Sequence, residues 1–206
     1  MNNSTVYIVD DDPAVLESVQ DSLHSAGMLI RGYQSAQEFI LGCSFHGGGC
    51  LIVDLQMPGM TGIELIEWLR ANHIEMPVIV ISGHGDIPAV VETMKLGAAE
   101  FLEKPVDDRL LVTRVRELLQ AETVRNNEKA KTREIRDSFA TLTEREKEVV
   151  ELLASGLSSK QIAAKVGIAL KTVENHRTHV LAKTRAVNVA SLVRMKMIAS
   201  HHSAIA

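Results

Sequence analysis

The feature that most restricts the fold is a set of short apolar runs in the first 120 residues: TVYIV (5–9), LIRGY (29–33), CLIV (50–53), VIVI (78–81) and EFL (100–102). Runs such as VIVI lack polar alternation, so a strand made from one must be covered on both faces. Amphipathic segments of helical length lie between the runs, and right-handed βαβ crossovers supply both covers at once. The predicted N-terminal domain is therefore α/β with a five-stranded, parallel, doubly wound sheet, and the order expected for it is 2-1-3-4-5, one of the common orders of such folds. Helix punctuation agrees. Asp12 before Pro13 reads as an N-cap and a first-turn proline, Ser35 with Glu38 as a capping box, and Gly27 and Gly97 as the glycines that end helices.

The second half has a different character. Residues 1–120 carry 7 basic and 17 acidic side chains, whereas residues 139–206 carry 10 basic and 5 acidic ones, an asymmetry concealed by the overall charge of −4. A basic domain tied to an acidic one points to a polyanion partner for the former. For the latter it points to a cation site, or to a role in holding its neighbour off that polyanion. A chain of 206 residues can form two small domains, each with its own core. Aromatic residues make up only 3%, which disfavours a base-stacking platform for single-stranded nucleic acid. No apolar run approaches the roughly 20 residues that span a bilayer, so no membrane partner is expected. The opening MNNSTVYIVDDD has neither the basic nor the apolar region of a secretory signal, so the expected location is the cytoplasm. Cys43 and Cys50 are then expected as two free thiols rather than a disulfide or a metal pair.

The predicted domains are residues 1–121 and 139–206. Between them, residues 122–138 (ETVRNNEKAKTREIRDS) contain neither Pro nor Gly and are expected to form a helical linker. Its apolar positions, Val124, Ala130 and Ile135, are sparse, which fits a solvated spacer better than an inter-chain coil. Beyond it no strand signal remains. Thr143 with Glu146 and Ser158 with Gln161 read as capping boxes, Leu157 staples against Ile162, and Gly156 and Gly167 stand at helix ends. A small all-α domain of four helices is expected.

Candidate chemistry gathers at the strand ends. Asp10, Asp11 and Asp12 follow the first run and Asp54 follows the third. In an open parallel sheet of this order, ligands sit beyond the carboxyl ends where the strand order reverses, between strands one and three. Asp10, Asp11 and Asp54 would converge there and repel one another unless a cation intervenes, and such a pocket suits Mg²⁺. Ser82 and Lys104 follow strands four and five, adding a hydroxyl and an ammonium. The set describes an acyl-phosphate site. Asp54 is the nucleophile, Mg²⁺ neutralises phosphoryl oxygens, and Lys104, Ser82 and the Gly83 N–H bind the remaining ones.

VDDD (9–12), VDLQMPGMTG (53–62), ISGHGD (81–86) and EKP (103–105) closely resemble the receiver domains of two-component response regulators, over residues 4–121. The resemblance implies that a histidine kinase's phosphohistidine phosphorylates Asp54. It also implies that Mg²⁺ is held by Asp11, Asp54 and the main-chain carbonyl of Gln56 with Asp10 assisting, and that the Lys104–Pro105 peptide is cis. A switch is implied as well: the Ser82 hydroxyl moves towards the phosphoryl group, the Phe101 ring turns inward behind it, and the face of the fourth helix and fifth strand is remodelled. That helix is expected at Ile87–Leu96, with Val90, Val91, Met94 and Lys95 facing a second copy in a homodimer. Val90 and Met94 equally fit a face packed on the sheet, and Phe101 a buried ring that never moves.

Residues 158–181, SSKQIAAKVGIALKTVENHRTHVL, place Ala163, Gly167 and Val173 as a helix-turn-helix requires. A small residue lets the helices approach, a glycine makes the turn, and a valine packs the second helix onto the first. With LTEREKEVVELLASGLSSKQIA ahead and KTVENHRTHVLAKT behind, residues 140–200 closely resemble the LuxR-type DNA-binding domain, and the whole chain resembles the NarL/FixJ group. Val173, Val180 and Leu181 form the predicted buried stripe of the second helix. That stripe turns Lys171, Glu174, Asn175 and Thr178 outward, bordered by Thr172, Arg177, His179 and Lys183. Glu174, Asn175 and Thr178 are expected at base edges, and Lys160, Lys171, Arg177 and Lys183 at phosphates. His176 reads as core-facing, since no partner stands at metal-ligand spacing. KTRAV (183–187) departs from the usual Lys-Leu-Gly, which leaves open how the last helix, the family's dimer contact at 189–197, packs.

The expected function is that of a response regulator, not an enzyme. Phosphorylated on Asp54 by its histidine kinase, it dimerises, binds a double-stranded two-fold operator and regulates transcription, with RNA polymerase as a further partner. One alternative keeps the fold and drops the switch: a phosphorylation-independent DNA binder. The other is an aspartate-nucleophile phosphohydrolase, which wants a carboxylate two positions after the nucleophile, where this chain has Gln56. Ala169 is a further departure from the LuxR-type pattern, in which Ser or Thr caps the recognition helix. Ala169→Ser should therefore stabilise the C-terminal domain by about 1 kcal/mol, measured by chemical denaturation followed with far-UV circular dichroism.

Overall fold

A computed structural model of the chain describes residues 4–43, 45, 48–83 and 87–201. The last three residues of ISGHGD, 84–86, lie outside the described residues. The chain separates into two compact units, Met1–Asn126 and Asn127–Ala206.

The N-terminal unit holds five parallel strands, β1 (Thr5–Val9), β2 (Leu29–Tyr33), β3 (Gly49–Asp54), β4 (Val78–Ser82) and β5 (Glu100–Glu103), in the order β2-β1-β3-β4-β5. Helices α1 (Pro13–Ser25), α2 (Ala36–Gly42), α3 (Gly62–Ala71), α4 (Ile87–Lys95) and the first part of α5 (Asp108–Ala140) complete it. β1, β3 and β4 are buried almost throughout, as their uninterrupted apolar runs require, whereas β2 and β5 form partly exposed edges. One core gathers Phe39, Val53, Leu65, Leu69 and Val80; the other gathers Val6, Leu23, Ile52, Ile81 and Leu111. Phe39 meets Tyr7, Tyr33 and Phe45 edge-on, with centroids 5.5 to 5.7 Å apart. β3 and β4 extend past their apolar runs to include Asp54 and Ser82, because ladder pairing continues through Asp54↔Ile81 and Ser82↔Glu103. Cys43 and Cys50 are free thiols, and burial pushes the Cys50 thiol up to about 12.

Local punctuation follows the sequence with one change. The Asp12 carboxylate accepts the Ala14 N–H at 2.9 Å, with Pro13 in the first turn of α1. Ser35 accepts the Glu38 N–H, but the Glu38 carboxylate reaches the Gln34 N–H at 3.0 Å instead of closing a capping box on Ser35. Thr61 and Glu64 do form a full box at the start of α3, signalled by a Thr-x-x-Glu pattern that begins inside the VDLQMPGMTG motif and ends two residues past it. On α4 the buried residue is Thr93, and Ala89 and Leu96 pack against the core. Val91 and Met94 stand 45% and 47% exposed, so Met94 does not belong to a sheet-packing face.

Arg70, near the end of α3, carries a contact no motif announces. Its guanidinium donates to the carbonyls of Ile74, Met76, Leu96 and Gly97 at 3.2, 3.3, 3.1 and 2.8 Å. It thereby ties the turn after α3 to the end of α4, where Gly97 adopts the left-handed φ of +85° that a side chain would strain.

The C-terminal unit contains α6 (Glu144–Ala154), α7 (Ser159–Val166), α8 (Leu170–Thr184) and α9 (Val189–His201). Val149, Val150, Leu153, Ile162, Ala163, Val173, Val180 and Leu192 form its core, with Leu157 and Leu181 packed against it. Gly167 ends α7 at φ +72°. Both capping boxes form, and α8 starts at Ala169 without a side-chain cap. Residues 122–138 are helical, as the lack of Pro and Gly predicts, but the stretch is not a solvated spacer from end to end. Glu122 is buried near its start, where it accepts from Asn126 and pairs with Arg125, and Ile135 is buried near its end. No helix among the described residues is long and apolar enough to cross a membrane.

Glu146 is a buried carboxylate, 3% exposed. One of its oxygens accepts the Thr143 N–H at 2.8 Å, the Thr143 hydroxyl at 3.0 Å and the Lys183 ammonium at 2.7 Å. The Lys183 hydrogen bond, ahead of the Thr143 N–H, holds the carboxyl down to about 2 from its usual 4.5. A carboxyl depressed in the folded state stabilises fully above its unfolded value, so this contribution is complete above about pH 5 and lost as pH falls from 4.5 towards 2. Urea unfolding of the C-terminal unit should show that slope, and Lys183→Met should flatten it. In the N-terminal unit, Arg70→Met should lower the unfolding free energy by about 2 kcal/mol, read from the fluorescence of Trp68, the sole tryptophan.

Candidate functional site

Strand register assembles the site. Val9 pairs with Val53, so Asp10 and Asp54 emerge side by side at the tips of β1 and β3. Ser82 pairs with Glu103, and the Lys104 N–H donates to the Ser82 carbonyl at 2.9 Å, which brings Lys104 to the same edge. The Lys104–Pro105 peptide is cis. Gly62, the first residue of α3, lets that helix approach closely: a Cβ there would stand 2.3 Å from the Asp54 carbonyl oxygen.

Asp10 and Asp54 are only 4% and 9% exposed. The Lys104 ammonium bridges them, 2.7 Å from Asp10 Oδ2 and 3.0 Å from Asp54 Oδ2. Asp10 Oδ1 accepts the Asp12 N–H at 3.0 Å and Asp54 Oδ1 accepts the Gln56 N–H at 3.4 Å. Burial raises the Asp10 carboxyl above its ordinary range, against the pull of Lys104 and the Asp12 N–H. For Lys104 burial also disfavours the charge, but its two carboxylate partners together outweigh it and raise the ammonium's pKa. Asp11 is exposed and adds a third carboxylate; one oxygen from each of Asp10, Asp11 and Asp54 lies within 4.8 Å of the others. Three carboxylates facing one ammonium leave an excess of negative charge among hard oxygen donors, the donor set that a small divalent cation takes.

Ser82 is buried at this edge, and Phe101 is half-buried on β5, packed against the core that contains Val80. Gln56 is exposed, as is Gly83. Val90, Val91, Met94 and Lys95 lie on α4, with Val90 half-buried and the other three exposed. The structure thus brings Asp10, Asp11, Asp54, Ser82 and Lys104 together and sets the α4 group apart from them.

In the C-terminal unit Lys160, Lys171, Thr172, Glu174, Asn175, Arg177, Thr178 and His179 are all exposed, while Val173, Val180 and Thr184 are buried and His176 and Leu181 half-buried. Thr178 donates its hydroxyl proton to the Glu174 carbonyl at 3.0 Å, leaving the oxygen lone pairs available. Lys171 and Glu174 form a loose exposed pair at 3.8 Å. Lys183 is exposed as a residue, and its ammonium lies 2.7 Å from the carboxylate of buried Glu146, near the start of α6. Neither Glu146 nor Arg70 stands out in sequence as a long-range anchor. Their partners are 37 residues away for Glu146, and 26 and 27 for the Leu96 and Gly97 carbonyls bound by Arg70 just after α4.

Two family models match this chain: the response regulator receiver domain over residues 6–116, and the bacterial regulatory proteins of the luxR family over residues 140–196. The chain is 41% identical over 194 residues to the transcriptional regulatory protein FixJ of Azorhizobium caulinodans, covering 94% of this chain and 92% of the relative. Among solved structures it is similar to the response regulator StyR, with 38% identity and a TM-score of 0.89 over 94% of this chain and 98% of that one. It is also similar to full-length FixJ from B. japonicum, with 36% identity and a TM-score of 0.59 over 98% of this chain and 99% of that one. The acidic cluster at the tips of a receiver-type sheet and the helix-turn-helix later in the chain thus have one explanation, and the chain belongs to the FixJ-like two-component response regulators, which join a receiver domain to a LuxR-type DNA-binding domain.

Proposed function

We propose that Asp54 is the phosphoacceptor and that its phosphorylation by a sensor histidine kinase controls DNA binding by α8. The observation that carries this reading is the Lys104 ammonium held between two buried carboxylates at 2.7 and 3.0 Å. An Asp54 oxygen attacks the phosphorus of the donor phosphohistidine; the O–P bond forms as the N–P bond breaks, and the electron pair stays on the imidazole. Lys104, already within reach of Asp54, then pairs with a phosphoryl oxygen, and the Ser82 hydroxyl donates to another. Asp10, Asp11, Asp54 and the Gln56 main-chain carbonyl would hold Mg²⁺, which when bound neutralises phosphoryl oxygens. Position 56, two after Asp54, carries an amide rather than a carboxylate, which favours a regulator over a phosphoester hydrolase.

The proposed functional boundaries are residues 1–121 for the receiver, 122–138 for the helical linker and 139–206 for the DNA-binding domain. Phosphorylation reaches α4 through Ser82 and Phe101, and the exposed Val91, Met94 and Lys95, with Val90, form the homodimer face. In the C-terminal unit, exposed Met197 and Ile198 on α9 offer a separate apolar surface for a dimer on DNA. Glu174, Asn175 and Thr178 meet base edges of a two-fold double-stranded operator, and Thr172, Lys160, Lys171 and Arg177 its backbone. The same reading places the protein in the cytoplasm, where the bound dimer meets RNA polymerase.

The test is covalent labelling. Wild-type protein with a phosphorylated kinase or acetyl phosphate and Mg²⁺ should gain one acid-stable, base-labile phosphoryl group, and Asp54→Asn should gain none. Label persisting at another residue would refute the assignment, and DNA affinity unchanged by labelling would favour a phosphorylation-independent binder.

A further inference from the structure

We infer that Glu146 and Lys183 are positioning residues for the recognition helix: the pair sets the placement of α8 from its C-terminal end, and Lys183 takes no part in phosphate binding. The inference rests on the DNA-binding reading and concerns how that reading is achieved.

α8 is held unequally along its length. At its start, Ala169 supplies no capping hydrogen bond, and Leu170, Lys171 and Thr172 are exposed. At its end two contacts on neighbouring residues reach other elements: Lys183 donates to Glu146, and Arg185, which caps the helix at φ 55°, pairs with Glu134 at 2.9 Å, while Thr184 between them is buried and donates within α8 to the Val180 carbonyl. Of these, the Lys183 contact alone reaches a buried carboxylate. The oxygen that receives it also receives the backbone and side chain of Thr143, the N-cap of α6. A single atom thus joins the start of α6 to the last turn of α8.

Asn175 lies eight residues before Lys183, about 12 Å along the helix axis at 1.5 Å per residue. Over that distance a tilt of about 5° about the anchored end moves Asn175 by about 1 Å, enough to spoil bidentate contacts to a base edge while leaving contacts to the backbone little changed. An ammonium already 2.7 Å from a buried carboxylate gains little from a phosphate, because moving there would leave that carboxylate without its cation.

Salt dependence separates positioning from phosphate contact, since each phosphate neutralised adds about 0.9 to the slope of log K against log salt. The full chain, phosphorylated with acetyl phosphate, is used to select a duplex from a random pool, and affinities for that duplex and for random duplex are measured across salt concentrations. Lys183→Met should weaken the selected duplex about tenfold, change random-duplex affinity less than twofold, and leave the salt slope unaltered; Lys183→Arg should restore most of the loss. A slope reduced by about 1, with equal losses on both duplexes, would make Lys183 a phosphate contact and overturn the inference. Glu146→Gln covers the case in which Lys183→Met fails to fold, because it keeps an acceptor for Thr143 while removing the charge. Positioning predicts weaker binding to the selected duplex, whereas a Lys183 freed for phosphate would bind all DNA more tightly. If the wild-type chain selects no duplex, the DNA-binding reading fails and the inference with it; if it does, the variants judge the inference alone.

Discussion

An ammonium between two carboxylates that the sheet has nearly removed from water is the contact on which the N-terminal unit's chemistry depends. Buried like charges are unfavourable unless something of opposite sign meets them, and Lys104 meets Asp10 and Asp54 at hydrogen-bonding distance. The compensation is incomplete, since Asp11 adds a third carboxylate and burial still raises the Asp10 carboxyl. That residual charge makes the site receptive to a further cation, and a phosphoryl group joined to Asp54 would bring new oxygens to the same ammonium.

The fold delivers this arrangement through register. Parallel pairing places Val9 beside Val53 and Ser82 beside Glu103, so residues distant in the chain arrive at one edge without any loop having to be shaped for the purpose. Gly62 permits the start of α3 to lie against the Asp54 backbone, and Arg70 secures the far ends of α3 and α4 through four carbonyls. α4 is thereby held at one end, while its Val91 and Met94 remain open to a partner.

The C-terminal unit solves a different problem with similar means. A helix that reads DNA must leave its polar face unpaired, so its orientation has to come from its buried face and its ends. Val173 and Val180 provide the first, and the Glu146–Lys183 pair provides one of the second. The acidic first half and the basic second half keep these two tasks on surfaces of opposite charge.

Sequence alone determined the strands, the acidic cluster and the caps other than the Ser35–Glu38 box, because each is written in neighbouring residues: apolar runs without alternation, Thr-x-x-Glu before a helix, aspartates directly after a strand. The stripe Val173, Val180 and Leu181 was legible in the same way, through helical periodicity. Tertiary structure decided what depends on residues far apart in the chain. Whether Met94 faces the sheet or solvent was undecidable from spacing, since one apolar periodicity serves both, and Thr93 took the inward position. In sequence Lys183 reads as any cation bordering a recognition helix, and only the fold brings Glu146 to it. Backbone carbonyls, such as those that hold Arg70, carry no residue-specific signal at all, so contacts made to them become visible only when the chain has folded.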